Sequence, residues 1–331
     1  MKRANLHLLT TLIIFGILRE CQLGVMKPIK ERRRIRKKHK NGEEEMEDRK
    51  AYPSDLTDAE WEILEPLIPA ISEEAVNVKY TRREIVNAIL YVLRSGCPWR
   101  LMPHDLPAWG TVHDYFRQWQ KQGVWDQVLE ALHKQKRKKQ GRDQEPSAAV
   151  IDSQSIKTSA VRGPEKGFDM GKRIWGRKRN LLVDTQGDLM EIKVTAASDS
   201  DLSAGKKLLE RLRGRFPRLS LIWGDSHYGG KLREWAKEQF GWDVQTVQHL
   251  GTASDASTTE SKPQTKSSKG GFQVLPRRWV VERSIAWITR WRRLARDHEG
   301  LPESSEAFIK LSASRRMLSH LAPAFPVAVL S

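Results

Sequence analysis

The stretch Ala148–Asp152, AAVID, marks the point where the sequence changes from helical spacing to strand spacing. A short apolar run that ends in an acid predicts a buried β-strand. Leu219–Asp225, LSLIWGD, repeats the pattern and is also followed by a serine. Because the ends of neighbouring strands lie side by side, we expect Asp152 and Asp225 to be adjacent. Two negative charges that close together are unfavourable unless a cation lies between them.

The other segments after residue 141 alternate between strand and helix patterns. Strand patterns fall on 180–184, 189–195 and 242–247, with a turn at 185–188, and helix patterns on 202–213, 231–240 and 275–299. Residues 153–177 and 251–270 are polar and are predicted to be loops, the second one mobile. This order predicts an α/β domain with a mixed sheet over residues 141–325.

The last helix pattern covers Leu275–Glu299, LPRRWVVERSIAWITRWRRLARDHE. Pro276 suits the first turn, where its missing N–H group is harmless. Apolar residues recur at helical spacing at Val281, Ile285, Ile288 and Ala295. Glu282 is the only acid in the first half, among many arginines. Two interpretations stay open: Glu282 is an ion-pair partner on a solvated basic helix, or it binds a metal on a helix that lies along a polyphosphate backbone.

Residues 46–140 have a helical pattern throughout and are predicted to form a small, all-helical domain. Thr57 with Glu60, and Thr81 with Glu84, have the spacing of a capping box at a helix start. Short helices with basic surface residues are typical of a helix-turn-helix reader of DNA. A plain helical bundle that packs on the next domain is the equal alternative. Residues 134–142 are basic and are predicted to be a linker.

The composition indicates a polyanionic partner. The chain has 331 residues, with 58 Lys and Arg against 41 Asp and Glu, and a formal net charge of +17. An excess this large, spread over both halves of the chain, predicts binding to nucleic acid before binding to a membrane. Cys21 and Cys97 form no CxxC pair, which argues against a structural zinc site and against an oxidising compartment.

Residues 1–45 differ from the rest of the chain. The apolar run at 6–18 follows two basic residues, as in a signal peptide, but Arg19 and Glu20 stand where small residues precede a cleavage site. The run is also short for a bilayer. We predict a disordered basic extension upstream of a natural start at Met46. A basic arm that adds non-specific DNA affinity is the alternative.

Asp152, Asp225 and Glu282 together form a set of oxygen ligands without a cluster of His or Cys. Such a set suits Mg²⁺ or Mn²⁺ rather than zinc. Two such ions bind the attacking and the leaving oxygen in phosphoryl transfer. For each acid alone, the alternative is a strand-end or ion-pair residue. The other aspartates of this half are interpreted as turn and cap residues: Asp169, Asp184, Asp188, Asp199, Asp201 and Asp243.

Several long motifs occur in a fixed order from Tyr52 to about Pro323. They are LTDAEWEILEPLIP, SGCPWRLMPHD with TVHDYFRQW, VIDSQSIK, GRKRNLLVDTQG, GDSHYGG and LPRRWVVERSIAWITRWRRL. With these motifs the chain resembles bacterial insertion-sequence transposases that have an aspartate-aspartate-glutamate (DDE) triad, specifically the insertion sequence five family. The resemblance implies a ribonuclease-H-like catalytic domain with Asp152 on its first strand, Asp225 after its fourth and Glu282 on a later helix. It also implies an N-terminal part that recognises the ends of the element.

Around the glutamate the chain departs from the wider family pattern of tyrosine, arginine and lysine. Arg278 matches the arginine, one helical turn before Glu282. Leu275 occupies the position of the tyrosine, and Thr289 occupies that of the lysine, with Arg290 next to it. Arg290 is therefore the residue expected to supply the charge that the family credits to the lysine.

The resemblance implies a DNA transposase that binds the terminal inverted repeats of an insertion sequence. It implies Mg²⁺-dependent DNA cleavage and strand transfer, with Mn²⁺ able to substitute. Candidate DNA contacts are Arg278, Arg290 and Lys157, with Arg100 and Arg117 on the surface of the helical domain.

The expected partners are double-stranded DNA and further copies of the chain assembled on it, at the nucleoid in the cytoplasm of a bacterium, with no membrane partner. One alternative is a catalytically inactive transposase relative that acts only as a DNA-binding protein. A second alternative, argued from residues 6–18, is a secreted or membrane-anchored protein.

Overall fold

In the computed structural model, which describes residues 49–70, 80–246 and 279–322, the chain folds around a mixed sheet. The predictions for the extension at 1–45 and for the loop at 251–270 lie outside the described residues. Within the described ranges, none of the helices combines the length and the apolar character needed to span a bilayer.

The sheet of the described residues has six strands. They are β1 (Ala148–Lys157), β2 (Gly167–Asp169), β3 (Ile174–Asp184), β4 (Leu189–Ala196), β5 (Leu221–Gly224) and β6 (Asp243–Thr246). β1 is central: it pairs antiparallel with β3 and parallel with β5. β3 also pairs with β2 and β4, and β6 lies parallel to β5. The predicted mixed sheet, including the hairpin of β3 and β4, is confirmed.

The described helices fall into three groups along the chain. α1 (Asp58–Leu64), α2 (Arg82–Ser95), α3 (Trp109–Lys121) and α4 (Val124–Lys139) precede the sheet, α5 (Asp201–Glu210) and α6 (Lys231–Phe240) alternate with its strands, and α7 (Trp279–Thr289) and α8 (Pro302–Leu321) follow it. The capping box of Thr57 and Glu60 is confirmed at the start of α1. Thr81 caps α2, which ends where Gly96 takes a left-handed conformation (φ 74°). Local sequence signals therefore set these helix starts.

The sheet separates two apolar cores because successive residues of a strand point to opposite faces. Val150 and Leu181 belong to one core, which also contains buried side chains of α1–α4, α7 and α8. Ile151 and Leu182 belong to the other core, which is covered by α5 and α6. By the same alternation, Asp152 points to the face on which α7 lies.

The helical segment before the sheet shares its core with the sheet. α2 and α3 are separated by residues 96–108, which include a 3₁₀ turn at Trp99–Leu101, a connection longer than the three or four residues of a helix-turn-helix. α3 and α4, by contrast, are joined by a tight turn of two residues, Gln122 and Gly123, so the helix-turn-helix and the plain bundle both stay predictions. A functional boundary near residue 140 stays a prediction.

The prediction of a linker at 134–142 is wrong as far as Lys139, where α4 ends. Lys136 Nζ donates to both carboxylate oxygens of Asp188 at 2.7 Å. Arg137 Nη1 donates to Asp184 Oδ2, also at 2.7 Å. All four side chains are buried. The basic residues therefore neutralise two acids at the end of β3 and in the turn after it, and the helix continues although its sequence is that of a solvated segment.

The helix predicted over 275–299 ends at Thr289, and the residues before Trp279 lie outside the described ranges. The chain then forms a 3₁₀ turn, Arg292–Leu294. It turns there because Arg293 is buried: its Nε donates to Glu299 at 2.7 Å and its Nη1 to the carbonyl oxygen of Cys97 at 2.9 Å. The buried ion pair of Arg293 and Glu299 thus stabilises a turn where the sequence pattern predicts further turns of helix.

The apolar stripe of this helix is confirmed within α7. Val281 and Ile288 are buried and Ile285 packs against the same core. Ala295, the fourth predicted member, is exposed and lies beyond the helix.

The loop predicted over 153–177 is shorter in the structure, because β1 continues to Lys157 and β3 begins at Ile174. Two arginines of β3, Arg177 at the end of this stretch and Arg179 just after it, are buried and paired. Arg177 Nη1 donates to the carbonyl oxygen of Glu299 at 2.8 Å, and Arg179 Nη1 donates to that of Leu294 at 2.8 Å. These two arginines hold the segment that follows α7 against the sheet.

Candidate functional site

Two of the predicted site residues stand at the same level of adjacent parallel strands. In the register of β1 and β5, Val150 lies opposite Trp223. Asp152 and Asp225 each follow two residues later, and parallel strands lie about 4.8 Å apart. Asp225 keeps an extended backbone (φ −77°, ψ 177°), so the alternation of side chains continues to it. The register therefore brings both half-buried aspartates to one edge of the sheet, on the face that α7 covers.

Gly224 and His227 help to position Asp225. A Cβ atom at Gly224 would come within 2.9 Å of Ile151 Cγ2, so only glycine allows the two strands to end this close together. Asp225 caps a 3₁₀ turn, with its Oδ1 accepting the backbone N–H of His227 at 3.0 Å. The imidazole Nδ1 of His227 lies 3.2 Å from the other carboxylate oxygen. The ring itself is exposed, and Asp225 is the residue that caps the turn.

A buried polar group lies on the other face of β1, behind Asp152. Ser153 Oγ and Lys178 Nζ both donate to Asp201 Oδ1 at 3.1 Å. Tyr228 is fully buried nearby, and its pKa is raised well above the usual value by burial and then by the negative charges of Asp201, Asp152 and Asp225. The tyrosine therefore stays neutral between the acids.

Glu282 lies on the exposed side of α7, a helix that packs on β1 and β3. The position of α7 is set by the turn between β3 and β4. Ser284 Oγ donates to the carbonyl oxygen of Gly187 at 2.8 Å, and Arg283 Nη2 donates to that of Gln186 at 2.8 Å. The guanidinium group of Arg283 also lies 4.5 Å from the ring centres of both neighbouring tryptophans on the helix.

The donor chemistry of the three acids suits a hard divalent cation, since only carboxylate oxygens are involved. Asp152 and Asp225 also have the side-by-side placement that such an ion requires. Within the described ranges, however, no three side chains of His, Cys, Asp or Glu are gathered closely enough to hold a metal. The assignment of Asp152, Asp225 and Glu282 as a joint metal site stays a prediction.

The predicted DNA contacts are placed in different parts of the molecule. Arg290 is exposed directly after α7, and Lys157 is exposed at the end of β1. Five residues of strand separate Lys157 from Asp152, about 17 Å. Arg100 is exposed and lies over the ring of Trp109.

The two remaining predicted DNA contacts are Arg117, which the structure describes, and Arg278, which it does not. Arg117 is half-buried and donates to Gln120 and Ser304 at 2.7 and 2.8 Å, which ties α3 to α8. Arg278 lies outside the described residues. Of the predicted DNA contacts that the structure describes, Arg290 is therefore the one on the same segment as Glu282.

Sequence patterns missed the polar group behind the aspartates. Lys178 and Tyr228 stand inside the motifs GRKRNLL and GDSHYGG, but nothing in their spacing shows that both approach Asp201. Asp201 is the first residue of α5, but the cap is Ser200, and the side chain of Asp201 instead accepts hydrogen bonds from β1 and β3.

Family models match two parts of the chain. Residues 56–129 match the model described as putative transposase of the IS4/5 family, and residues 143–315, more than half of the chain, match the model described as transposase DDE domain. The second range includes Asp152, Asp225 and Glu282.

Relatives and one solved structure were also found. The chain is 31% identical over 109 residues to an uncharacterized 16.2 kDa protein of insertion element IS402 from Burkholderia cepacia, covering 31% of this chain and 72% of that protein. It is 29% identical over 77 residues to the uncharacterized protein y4sN of Sinorhizobium fredii, covering 23% of this chain and 62% of that protein. The piggyBac transposase in a synaptic complex with hairpin DNA aligns over 80% of this chain and 71% of its own, with a TM-score of 0.41 and 9% identity.

The fold is a mixed sheet with a helical segment before it. The family match covers the strands and helices around the two aspartates. The chain belongs to the DDE transposase family, and its N-terminal region is that of the putative IS4/5 transposases.

Proposed function

We propose that this protein is an active DNA transposase. It binds the terminal inverted repeats of an insertion sequence, cuts the DNA at the element's end and joins the freed 3′ end to target DNA. The substrate is double-stranded DNA, in keeping with the net charge of +17. Several copies of the chain act together on the DNA.

The observation that carries this proposal is the common register position of Asp152 and Asp225 on the face covered by α7. Strand ends bring two carboxylates together at a cost that only a cation offsets. Glu282, on the exposed side of α7, would be the third ligand. When bound, Mg²⁺ supplies positive charge that stabilises the negative charge developing on the phosphate oxygens.

The chain's own residues then hold and orient the DNA. Asp152 and Asp225 would hold the divalent cation at the edge of the sheet, and the reacting phosphate would lie opposite them. Arg290, at the end of α7, contacts the phosphate backbone beside it. Behind the acids, Asp201 links β1 to β3 through Ser153 and Lys178.

One observation favours a second function, a relative that binds DNA ends without cutting them. Among the residues that the structure describes, no group of three acids is closed around a single point. A protein of this kind would retain the basic surface and the fold but would bind DNA equally well with and without a divalent metal.

Cleavage in the presence of Mg²⁺ separates the two functions. We expect the full chain to cut a labelled duplex that carries the element's end in Mg²⁺ or Mn²⁺, and to leave it uncut in EDTA. Binding of the duplex, measured by fluorescence anisotropy, should persist in EDTA. An uncut duplex in every metal, with unchanged binding, would establish the second function.

Metal binding has a readout that does not depend on activity. Mg²⁺ at millimolar concentration should raise the melting temperature of the wild type, because a ligand that binds the folded state stabilises it. The Asp225→Asn variant should show a smaller rise. An equal rise in both proteins would place the metal elsewhere.

A further inference from the structure

A basic groove lies between the start of the described chain and the segment that follows α7. Its volume is about 360 Å³, and its lining includes Tyr52, Tyr91, Arg94, Arg290 and Arg292. We call it the arginine groove. None of its members except Arg290 is among the residues that the sequence patterns indicated as DNA contacts.

Packing fixes the shape of the arginine groove. The rings of Tyr52 and Tyr91 lie 4.6 Å apart. At the end of α2, a Cβ atom on Gly96 would meet Arg292 Cβ at 3.1 Å, so the two walls of the groove touch. The guanidinium group of Arg94 lies 5.6 Å from the ring centre of Trp291, which holds it beside the segment after α7. The groove is therefore formed before any ligand arrives.

The charge of the arginine groove is positive. Arg94, Arg290 and Arg292 are all exposed. Among the described residues, no carboxylate forms an ion pair with any of the three, whereas most other arginines of the sheet and its helices have such a partner. The described residues that line the groove include no acid. Two carboxylates contact Tyr52: Asp105 accepts its hydroxyl hydrogen at 2.9 and 3.0 Å, and Asp55 accepts its backbone N–H at 3.0 Å. Three guanidinium groups in the lining against two carboxylates beside it leave an excess of positive charge, which favours an anion.

The segment of the arginine groove that carries Arg290 lies close to Glu282 along the chain. Arg290 follows Glu282 by eight residues, which at 1.5 Å per residue is about 12 Å along the axis of α7. One strand of DNA carries a phosphate about every 3.4 Å along the duplex axis. For a duplex that lies along α7, one phosphate opposite the acids therefore places others, three or four nucleotides away, at the groove.

We propose that the arginine groove binds the phosphate backbone of double-stranded DNA three or four nucleotides from the bond that is cut. Arg94 and Arg292 contact phosphates, and Tyr52 and Tyr91 form the wall on which the sugar-phosphate chain rests. The inference rests on the proposed function and extends it. It gives α2, a helix of the N-terminal region, a direct part in holding the DNA beside the catalytic segment.

The test uses the full chain and a fluorescein-labelled duplex of random sequence, in EDTA, at a series of NaCl concentrations. Removing a phosphate contact reduces the slope of log affinity against log salt by about 0.9. The double variant Arg94→Ala/Arg292→Ala should therefore have a slope shallower by about 2. Both side chains are exposed, so the melting temperature should stay close to that of the wild type. The pair Arg94→Gln/Arg292→Gln retains more of the packing and should give the same change of slope.

The matched control is Lys231→Ala/Lys237→Ala on α6, which covers the other face of the sheet. It removes the same charge from two exposed residues and should leave the slope unchanged. A groove variant with the wild-type slope, or a control that changes the slope as much as the groove variant, would overturn the inference. These measurements contain no metal and no cleavage step. Wild-type binding that depends on the groove, in a protein that never cuts DNA, would refute the catalytic function and leave the groove standing.

Discussion

Asp152→Asn, Asp225→Asn and Glu282→Gln are each expected to lower DNA cleavage by roughly 10³-fold or more. Each change removes one negative charge with little change in shape, so the protein loses a metal ligand while the fold persists. Residues that act as one unit are not additive, and the double variant Asp152→Asn/Asp225→Asn should be hardly worse than either single variant. The measurement is the rate of cleavage of a labelled element end in Mg²⁺.

DNA binding should survive in all three variants and should tighten slightly as negative charge leaves the site. Glu210→Gln on α5 and Glu238→Gln on α6 are suitable controls, because both acids are exposed. They should cut at nearly the wild-type rate. A folded Glu282→Gln protein that cleaves at close to the wild-type rate would remove this residue from the site and return it to the role of a surface acid.

Asp184→Asn is expected to lower the free energy of unfolding by about 3–5 kcal/mol, since it leaves buried cations without their partner. Asp184 is fully buried at the end of β3. Its Oδ2 accepts from Arg137 Nη1 at 2.7 Å and lies 3.2 Å from His133 Nε2. The same carboxylate accepts the backbone N–H groups of Gln186 and Asp188. Urea denaturation followed by circular dichroism measures the loss.

Asp143→Asn is the matched control for this prediction. Asp143 pairs with Arg218 at the surface, where 54% of its side chain is exposed. Exposed pairs of this kind contribute little to the free energy of unfolding. If Asp184→Asn is no more destabilising than Asp143→Asn, the buried ion pairs do not hold α4 on the sheet.

The stabilisation by Asp184 should also depend on pH. Burial alone would raise the pKa of this carboxyl group, but its contacts with His133 and the backbone N–H groups of Gln186 and Asp188 hold it well below the usual range. A group whose pKa is lowered by folding stabilises the protein above its unfolded pKa, about 3.9 for aspartate, and loses this effect as the pH falls further. The difference in unfolding free energy between wild type and Asp184→Asn should therefore shrink below about pH 4. A constant difference from pH 7 to pH 3 would contradict the assignment.

Asp184 shows where the interpretation of single residues from the sequence is incomplete. As a turn residue it accepts two backbone N–H groups, as predicted. Its ion pairs reach α4, 47 residues earlier in the chain, and no local pattern indicates them. For the same reason neither Asp184 nor Asp201 is a neutral control for cleavage: one is part of the buried core, and the other lies behind Asp152.

The sequence predicted those parts of the site that follow from the pattern of a single strand or helix. An apolar run followed by an acid identified Asp152 and Asp225, because burial of a strand and exposure of its end leave a pattern along the chain. The groove residues Arg94 and Arg292 were missed. They are 198 positions apart in the numbering and meet only because α2 packs against the segment after α7.

By itself the sequence determined the helix starts with their caps, the order of strands and helices, the excess of positive charge and the family. Each of these depends on neighbours along the chain or on a sum over it. Only the tertiary structure decided that α4 continues through its basic end, that α7 stops at Thr289 and that β1 and β3 extend through polar residues. In each case a charged side chain is buried against hydrogen-bond partners, either acids or backbone carbonyl oxygens, and most of these partners are distant in sequence. These partners offset the cost of removing the charge from solvent.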